Sequence, residues 1–442
     1  MAIERAVTVE GPVEGAAPPY GAPADDVLAE HGYVCEEFVL EGRVSAYTHA
    51  DGERPTPDGR WTAEPAREAD FRTRILVVRP RDAAAFSGTV FLEWQNVSAG
   101  YEQPAPTGGE VYRGHAWVGV SAQEAGLYGA GMGLQQRSGA PLLDADPDRY
   151  GDLHHPGDLG CFDIFSLAAQ RVGPRRGATG IDPMGGLPVA RVVAVGGSQS
   201  AMRLCAYANG VHGLHGVVDA FLLTVWEGRA PRLDDGSTPM PLATTLRADL
   251  DVPVLVLNSE FEVTATHGLA LEDTDRRRVW EVAGTGHGVR RRPLPQEAGV
   301  WETNPVTWRP VYEAALRAVH RWLADGEAPA VRPRIAMQEE GYPTIVRGED
   351  GNALGGVRLP EIAVPIAEHR GRKGGTGSAS LYGGRRRYSA ETLRQRYRSR
   401  EDYLAQWAAA VGAMVEAGTL LPEDAPAMRL HGEELAAALP PE

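Results

Sequence analysis

The sequence predicts an α/β fold, in which a mostly parallel central sheet is flanked by helices and followed by a C-terminal extension. Short, almost continuously apolar runs predict strands that are covered on both faces. Helical patterns separate the later runs, and this alternation is typical of a parallel sheet wound with helices. The chain has 442 residues, more than one hydrophobic core usually holds, so we expect an appended region beside the main domain.

The predicted strands and helices follow one another along most of the chain. Four early apolar runs predict strands at 38–40, 73–78, 88–94 and 116–121. Four later runs predict strands at 191–195, 217–225, 252–257 and 278–283. Helical periodicity predicts helices at 162–172, 200–209 and 310–323, and another from about Ser399 to Gly418. The later strands and helices therefore have the order expected of a wound parallel sheet.

Composition divides the chain into three regions. Residues 1–30 are rich in Pro, Gly and Ala, have no sustained period, and are interpreted as an N-terminal arm. Residues 31–326 carry the strand and helix pattern and are interpreted as the catalytic core. After Gly326 the pattern weakens, so residues 327–442 are interpreted as a C-terminal region that packs on the core. We hypothesise that this region helps to cover the active site.

Charge and cysteine content exclude several classes of function. The formal net charge of -15 argues against nucleic acid or an anionic membrane as partner, since phosphate binding needs clustered positive charge. The N-terminus lacks a signal-peptide pattern and no apolar run is long enough to span a membrane, which favours a cytoplasmic protein. Three cysteines without C-x-x-C spacing argue against disulfides and a zinc site. The sequence is compatible with a homo-oligomer.

The strongest chemical signal is a serine at the junction of a predicted strand and a predicted helix, in the segment Val193–Ala201, which reads VAVGGSQSA. Such a turn is the nucleophile elbow, which forces the serine into a strained backbone and requires small residues two before and two after it. Gly196 and Ser200 meet this requirement, although Ser200 departs from the G-x-S-x-G form. The pattern predicts a nucleophilic Ser198.

A dinucleotide-binding loop is the rival interpretation, because glycines between a strand and a helix also bind pyrophosphate. The spacing argues against it. Gly196 and Gly197 have no third glycine at the required offset, and no acidic residue ends a following strand about 20 residues later.

A serine nucleophile needs a histidine base and a carboxylate that orients it, both on later strand ends. His287 lies in a glycine-rich loop just after the predicted strand 278–283. Two carboxylates, Glu260 and Glu262, follow the predicted strand 252–257. We favour Glu262 narrowly, because its distance from the strand end fits the acid position, and Glu260 remains the alternative.

The developing oxyanion needs backbone N–H donors. One is predicted to be the amide of Gln199, directly after the nucleophile, and the other to come from Asn96 or Val97 in the loop after the strand 88–94. An ordinary polar turn is the alternative interpretation of that loop. Larger aromatic residues near predicted strand ends would wall a substrate pocket or belong to the core: Trp94, Tyr101 and Trp226.

A metal site is not predicted. His154 and His155 are adjacent rather than at helical spacing, and Asp158 is a weak third ligand.

Taken together, these motifs resemble a bacterial family of alpha/beta hydrolase domain proteins whose elbow reads G-x-S-Q-S. The shared segments lie at 93–98, 148–151, 155–158, 163–166, 196–201, 280–284 with His287, 355–358, 417–418 and 421–425. The resemblance implies an α/β-hydrolase fold, a catalytic Ser198 and His287, and no cofactor. It also implies that the region after residue 326 belongs to the same unit. Members are mostly described as esterases or lipases.

Two segments depart from the family. The family tends to read T-E-T-D where this chain reads SEFE at Ser259–Glu262, so the choice of acid stays open. The segment Thr224–Gly228 differs from the usual run, so no substrate specificity is carried over.

The sequence thus predicts a metal-free, cofactor-independent carboxylic-ester hydrolase that acts on a small-molecule ester through an acyl-enzyme. One alternative keeps the fold but not hydrolysis: an acyltransferase, lyase or cyclase of specialised metabolism. Another is a catalytically inactive binding module.

Overall fold

A computed structural model describes residues 7–52, 54–129, 139–177, 180–234, 241–288, 301–338, 340–373 and 378–440. The chain divides into two compact units. The N-terminal unit comprises Met1–Val254, Leu269–Leu271 and Val319–Gly326. The C-terminal unit comprises Leu255–Gly268, Glu272–Ala318 and Glu327–Glu442.

The strands of the N-terminal unit contribute many of its buried residues. In chain order they are β1 (Val7–Glu10), β2 (Tyr33–His49), β3 (Ala63–Pro80), β4 (Thr89–Trp94), β5 (Ala116–Val120), β6 (Arg191–Gly197), β7 (Ala220–Thr224), β8 (Arg229–Ala230) and β9 (Leu242–Ala243). The first seven lie side by side in the order β1-β2-β3-β5-β4-β6-β7. Strands β5, β4, β6 and β7 are parallel, whereas β1, β2 and β3 are antiparallel.

The later strands, which from Leu255 onward belong to the C-terminal unit, are β10 (Val254–Ser259), β11 (Arg277–Val282), β12 (Glu302–Thr303), β13 (Ala367–Arg370) and β14 (Gly384–Arg387). Strands β10 and β11 are neighbours, and β14 lies between β12 and β13 in a small antiparallel sheet.

The helices alternate with the parallel strands and then dominate the C-terminal region. They are α1 (Asp25–His31), α2 (Glu124–Tyr128), α3 (Leu142–Ala145), α4 (Pro147–Tyr150), α5 (Cys161–Val172), α6 (Gln199–Ala206), α7 (His212–His215), α8 (Glu260–Thr266), α9 (Arg309–Asp325), α10 (Pro360–Ala363), α11 (Ala390–Arg396), α12 (Arg400–Glu416) and α13 (Ala425–Ala436). Helix α5 packs on β2 and β4, and α6 packs on β6 and β7. The predicted α/β fold class is confirmed.

The long hairpin of β2 and β3 is the largest difference from the predicted strands. Only 38–40 and 73–78 were apolar enough to be predicted, yet the two strands pair from Tyr33–Pro80 to His49–Ala63. Their outer parts are polar, and residues 64–68 of β3 are exposed. An antiparallel pair is able to leave one face in water, so it needs no continuous apolar run.

The N-terminal arm also contains regular structure. Within residues 1–30, β1 pairs with β2 and α1 begins at Asp25, while residues 1–6 lie outside the described part of the chain. Arg149 donates to the carbonyl oxygens of Val13 and Ala17, which attaches the arm to α4. No helix among the described residues has the length and apolarity to cross a membrane.

Candidate active site

Ser198 lies at the turn from β6 to α6, in the N-terminal unit. Its backbone has φ 57° and ψ −118°. Among the described residues, Ser198 and Val225 are the non-glycine residues with positive φ. Such a conformation costs of order 1–3 kcal/mol and is retained mainly where function needs it. The strained turn predicted from the sequence is thus present at Ser198.

The two glycines before Ser198 leave no space for a side chain. A Cβ atom at Gly196 would lie 2.8 Å from a methyl carbon of Leu204 and 3.1 Å from the carbonyl oxygen of Ser200. A Cβ atom at Gly197 would lie 2.8 Å from the hydroxyl oxygen of Thr224. The strand therefore approaches α6 and β7 more closely than alanine would permit.

Ser200 has a bonding role as well as a small volume. Its hydroxyl accepts a hydrogen bond from the Gly197 amide at 2.9 Å and donates to the Gly197 carbonyl oxygen at 2.9 Å. The side chain is buried, so these bonds are shielded from water. The departure from the G-x-S-x-G form thus adds a link across the turn that glycine would not make.

Asn96 contacts the same turn from the loop after β4. Its amide nitrogen donates to the carbonyl oxygen of Gly197 at 2.8 Å, and its own oxygen accepts from the amide and hydroxyl of Ser98.

Within the described part of the chain, the backbone amides of Val97 and Gln199, two of the predicted oxyanion donors, donate to no other residue. Asn96 acts through its side chain on the elbow, a contact that the sequence did not reveal.

A buried polar network fixes the side chain of Gln199. Gln199 and Trp94 both donate to the side-chain oxygen of Gln123, at 2.8 and 3.0 Å. Gln123 in turn donates to Asp158 at 2.9 Å, and Asp158 is paired with Arg203 of α6 at 2.7 Å. The sequence analysis identified three parts of this network: Gln199, Trp94 and the motif that carries Asp158. It did not identify Gln123 or Arg203.

The three aromatic residues nominated for a pocket have different surroundings. Trp94 is fully buried and stacks on Phe165 at 4.9 Å, so it has a core position. Trp226 is also fully buried and donates to the Arg229 carbonyl oxygen at 2.8 Å. Tyr101 is half-buried, with its ring against Gly139.

His287 and Glu262 form a bonded pair in the C-terminal unit. The distance from His287 Nδ1 to Glu262 Oε1 is 2.6 Å, and the Glu262 side chain is fully buried. The other carboxylate oxygen accepts from the amide and hydroxyl of Ser259, which form a capping box with Glu262 at the start of α8. A carboxylate with three hydrogen bonds is held in one orientation, and it holds the imidazole in turn.

Glu260 lies two residues earlier and is bonded elsewhere. One oxygen pairs with Arg347 at 2.6 Å and accepts from the Gly371 amide, while the other accepts from the Gly284 amide at 2.7 Å. The structure therefore gives the two carboxylates different partners, since Glu262 rather than Glu260 bonds the histidine.

The loop that carries His287 is anchored on both sides. Asn304 donates to the Gly284 carbonyl oxygen at 2.6 Å, and its own oxygen is 2.9 Å from His369 Nδ1. Trp308 donates to the His287 carbonyl oxygen at 3.3 Å, and the ring of Phe261 packs edge-on against the imidazole. None of these anchors was predicted, because each lies apart from the histidine motif in sequence.

Within the described residues, no cluster of three His, Cys, Asp or Glu side chains has a geometry that would hold a metal ion. His155 Nε2 is 2.9 Å from the Ala122 carbonyl oxygen, and Asp158 is bonded to Gln123 and Arg203.

Comparison with known proteins gives several similar solved structures. Esterase Est22 is 12% identical over 54% of this chain and 66% of that chain, with a TM-score of 0.29. A prolyl endopeptidase is 11% identical over 56% and 40%, with a TM-score of 0.28. Prolyl oligopeptidase B from Galerina marginata is 10% identical over 53% and 29%, with a TM-score of 0.27. The chain thus spans slightly less than two thirds of the esterase's length.

No curated protein matches the sequence. A family model described as "Alpha/beta hydrolase domain" matches residues 9–429, which is most of the chain and includes the C-terminal region. The resemblance inferred from the motifs is therefore confirmed, and the chain belongs to the alpha/beta hydrolase domain family.

Proposed function

We propose that the chain is a serine hydrolase that cleaves a carboxylic ester through an acyl-enzyme on Ser198. The observation that carries this proposal is the backbone of Ser198, a serine with positive φ between a buried strand and a helix. Two close glycines, the Ser200 hydroxyl and the Asn96 amide all support that one turn. A strained residue that is supported in this way is typical of a nucleophile.

His287 is the proposed general base. Its Nδ1 atom faces the carboxylate of Glu262, which accepts hydrogen bonds but has no proton to give. The neutral ring must then carry its proton on Nδ1, which makes Nε2 the basic nitrogen. This tautomer is the one that a serine nucleophile requires of its histidine.

Glu262 is the proposed acid of the triad, and Glu260 is assigned a structural role. The support is the 2.6 Å contact of Glu262 with the imidazole, against the pairing of Glu260 with Arg347. When the imidazole becomes an imidazolium, the buried carboxylate of Glu262 stabilises the positive charge.

The reaction would proceed in two halves. His287 takes the hydroxyl proton as Ser198 Oγ bonds to the ester carbonyl carbon, and the imidazolium then gives the proton to the departing alkoxide. Water, deprotonated by His287, attacks the acyl-enzyme and releases the carboxylic acid and the serine hydroxyl. The amide of Gln199 and that of Val97 or Asn96 would stabilise the oxyanion of each tetrahedral intermediate. No metal or cofactor is needed for these steps.

The experiment is a panel of nitrophenyl esters of graded acyl length, with nitroanilides of the same acids. We expect wild type to hydrolyse one or more esters at a rate at least 100-fold above the matched anilides. Ser198→Ala should lose about 10⁴-fold or more in kcat. Ser389→Ala, which changes an exposed serine at the start of α11, is the matched control and should keep full activity.

Product analysis separates hydrolysis from the alternatives, because a hydrolase releases free acid and alcohol in equal amounts. An acyltransferase would release little free acid, and with an added acceptor it would form the acylated acceptor instead. Equal activity of wild type and Ser198→Ala would contradict the proposal.

A further inference from the structure

A cavity of about 180 Å³ lies within the C-terminal unit, among α10, β13, β14, α12 and α13. Most of its wall is apolar and is formed by Val306, Val364, Ile366, Ala367, Trp407 and Leu435. A dry cavity of about 150 Å³ is large enough to bind benzene. The space therefore fits a compact molecule of about one six-membered ring with a substituent.

Two polar side chains on the cavity wall have unused hydrogen-bonding capacity. The hydroxyl of Tyr403 and the Oε2 atom of Glu361 are both buried without a hydrogen-bond partner among the described residues. Burial raises the pKa of the Tyr403 hydroxyl, and Tyr397 and Glu361 raise it further. The hydroxyl therefore stays protonated and remains a donor. Since buried polar groups are normally bonded, the pair favours an occupant that bonds to them.

The charges around the cavity favour a neutral occupant. Glu361 Oε1 is 3.3 Å from His431 Nε2, and this hydrogen bond raises the pKa of the His431 imidazole. Arg385 and Arg387 also line the cavity, and both pair with Glu302. A cationic ligand would meet these positive groups, whereas an anionic ligand would meet the Glu361 carboxylate.

We propose that this cavity is a binding site for a small neutral aromatic or alicyclic alcohol, whose hydroxyl group donates to Glu361 and accepts from Tyr403. A hydroxyl group is able to make both bonds at once, because it has one proton and two lone pairs. The apolar ring would fill the space between Val364, Ala367 and Trp407. The residues that line this cavity do not include Ser198, His287 or Glu262. The proposal therefore does not depend on hydrolysis.

The experiment measures binding of phenol and of toluene to the full-length protein by ligand-observed NMR titration. The two probes have nearly the same size and differ in the hydroxyl group. Phenol should bind at least about fivefold more tightly than toluene, which is the effect of about one hydrogen bond. Benzylammonium, of similar size but charged, should bind more weakly than phenol.

Three variants locate the binding. Tyr403→Phe should lower the affinity for phenol about fivefold and leave that for toluene unchanged, since only the hydroxyl is removed. Tyr207→Phe, which removes a buried hydroxyl bonded to Ser166 in the N-terminal unit, is the matched control and should bind both probes as wild type does. Ala367→Leu should abolish binding of both probes, because the added atoms occupy the cavity.

Several results would overturn the proposal. They are equal affinity for phenol and toluene, full phenol affinity in Tyr403→Phe, and unchanged binding in Ala367→Leu. A crystal soaked in phenol that shows only an ordered water between Tyr403 and Glu361 would do the same. Binding is measured without turnover, so an inactive protein that binds phenol would contradict the proposed hydrolase and leave this site standing.

Discussion

The elbow at Ser198 and the loop at His287 are held in place by different means. The elbow depends mainly on close packing at Gly196 and Gly197, to which Ser200 and Asn96 add hydrogen bonds. The histidine loop is fixed by hydrogen bonds from side chains far along the chain, including Asn304 and Trp308.

This difference determines how each region should respond to mutation. Steric support is local, so we expect one added methyl group to disrupt the elbow. The hydrogen bonds that support the loop are spread over several side chains, so we expect the loss of one to matter less. From the start of α8, Glu262 bonds the histidine of this loop and Glu260 accepts from the backbone amide of Gly284. Glu262 therefore orients the imidazole of His287, whereas Glu260 supports the backbone of its loop.

The largest effect is expected for Glu262→Gln. The amide leaves the shape intact but removes the negative charge and favours the wrong tautomer of His287, so kcat should fall about 10³- to 10⁴-fold. Glu260→Gln is the matched control and should lower kcat less than about tenfold. Steady-state kinetics on the best nitrophenyl ester measure both. A larger loss in Glu260→Gln than in Glu262→Gln would reverse the assignment of the two carboxylates.

Glu260→Ala should act on stability. The substitution leaves Arg347 without its carboxylate and the amides of Gly284 and Gly371 without their acceptor. We expect the free energy of unfolding to fall by about 3 kcal/mol, as when one partner of a buried ion pair is removed. Urea unfolding followed by circular dichroism measures it. A loss below about 1 kcal/mol would mean that this carboxylate contributes little to the loop.

Gly196→Ala tests the steric support of the elbow. The new methyl group would meet Leu204 and the backbone of Ser200, so the serine should shift and kcat should fall about 100-fold. Gly412→Ala on α12, where a Cβ atom meets nothing within 4 Å, is the matched control. That variant should keep its activity and gain up to about 1 kcal/mol of stability. Equal kcat for both variants would show that the elbow tolerates a side chain.

The effect that is smallest at neutral pH is a dependence of stability on pH. Burial, with His115 and Arg191, lowers the pKa of His320 in the N-terminal unit to about 4, and burial with Arg385 lowers that of His369 in the C-terminal unit to about 3. Below about pH 6.5 these two histidines bind protons in the unfolded chain, whereas in the folded protein they stay neutral. The free energy of unfolding should therefore fall as the pH falls from about 6.5 towards 4.

The matched comparison for this pH effect is His320→Gln, measured by urea unfolding at several pH values. Removing one of the two histidines should make the pH dependence shallower than in wild type. An unchanged slope would show that His320 is not linked to acid unfolding.

The regions that the sequence predicted correctly are those that depend on local chemistry. The wound strands and helices followed from apolar runs, and the turn at Ser198 followed from small residues around one serine. The outer parts of β2 and β3 were missed because their exposed faces are polar. Gln123, Asn304 and Arg347 were missed because each acts through a contact distant in sequence, and polar residues outside a motif have no periodic signal.

The choice between Glu260 and Glu262 shows the same limit. Both carboxylates follow β10 directly, and position alone favoured Glu262 only narrowly. Their partners, Arg347 and His287, lie far along the chain, so the hydrogen bonds rather than the spacing distinguish them.

The most direct test of the central claim is to react the protein with a fluorophosphonate and to locate the adduct by peptide mass spectrometry. We expect one phosphonyl group per chain, on the peptide that contains Ser198, with much slower labelling in His287→Ala and none in Ser198→Ala. An adduct on another residue, or no adduct on a wild-type protein shown to be folded, would contradict it.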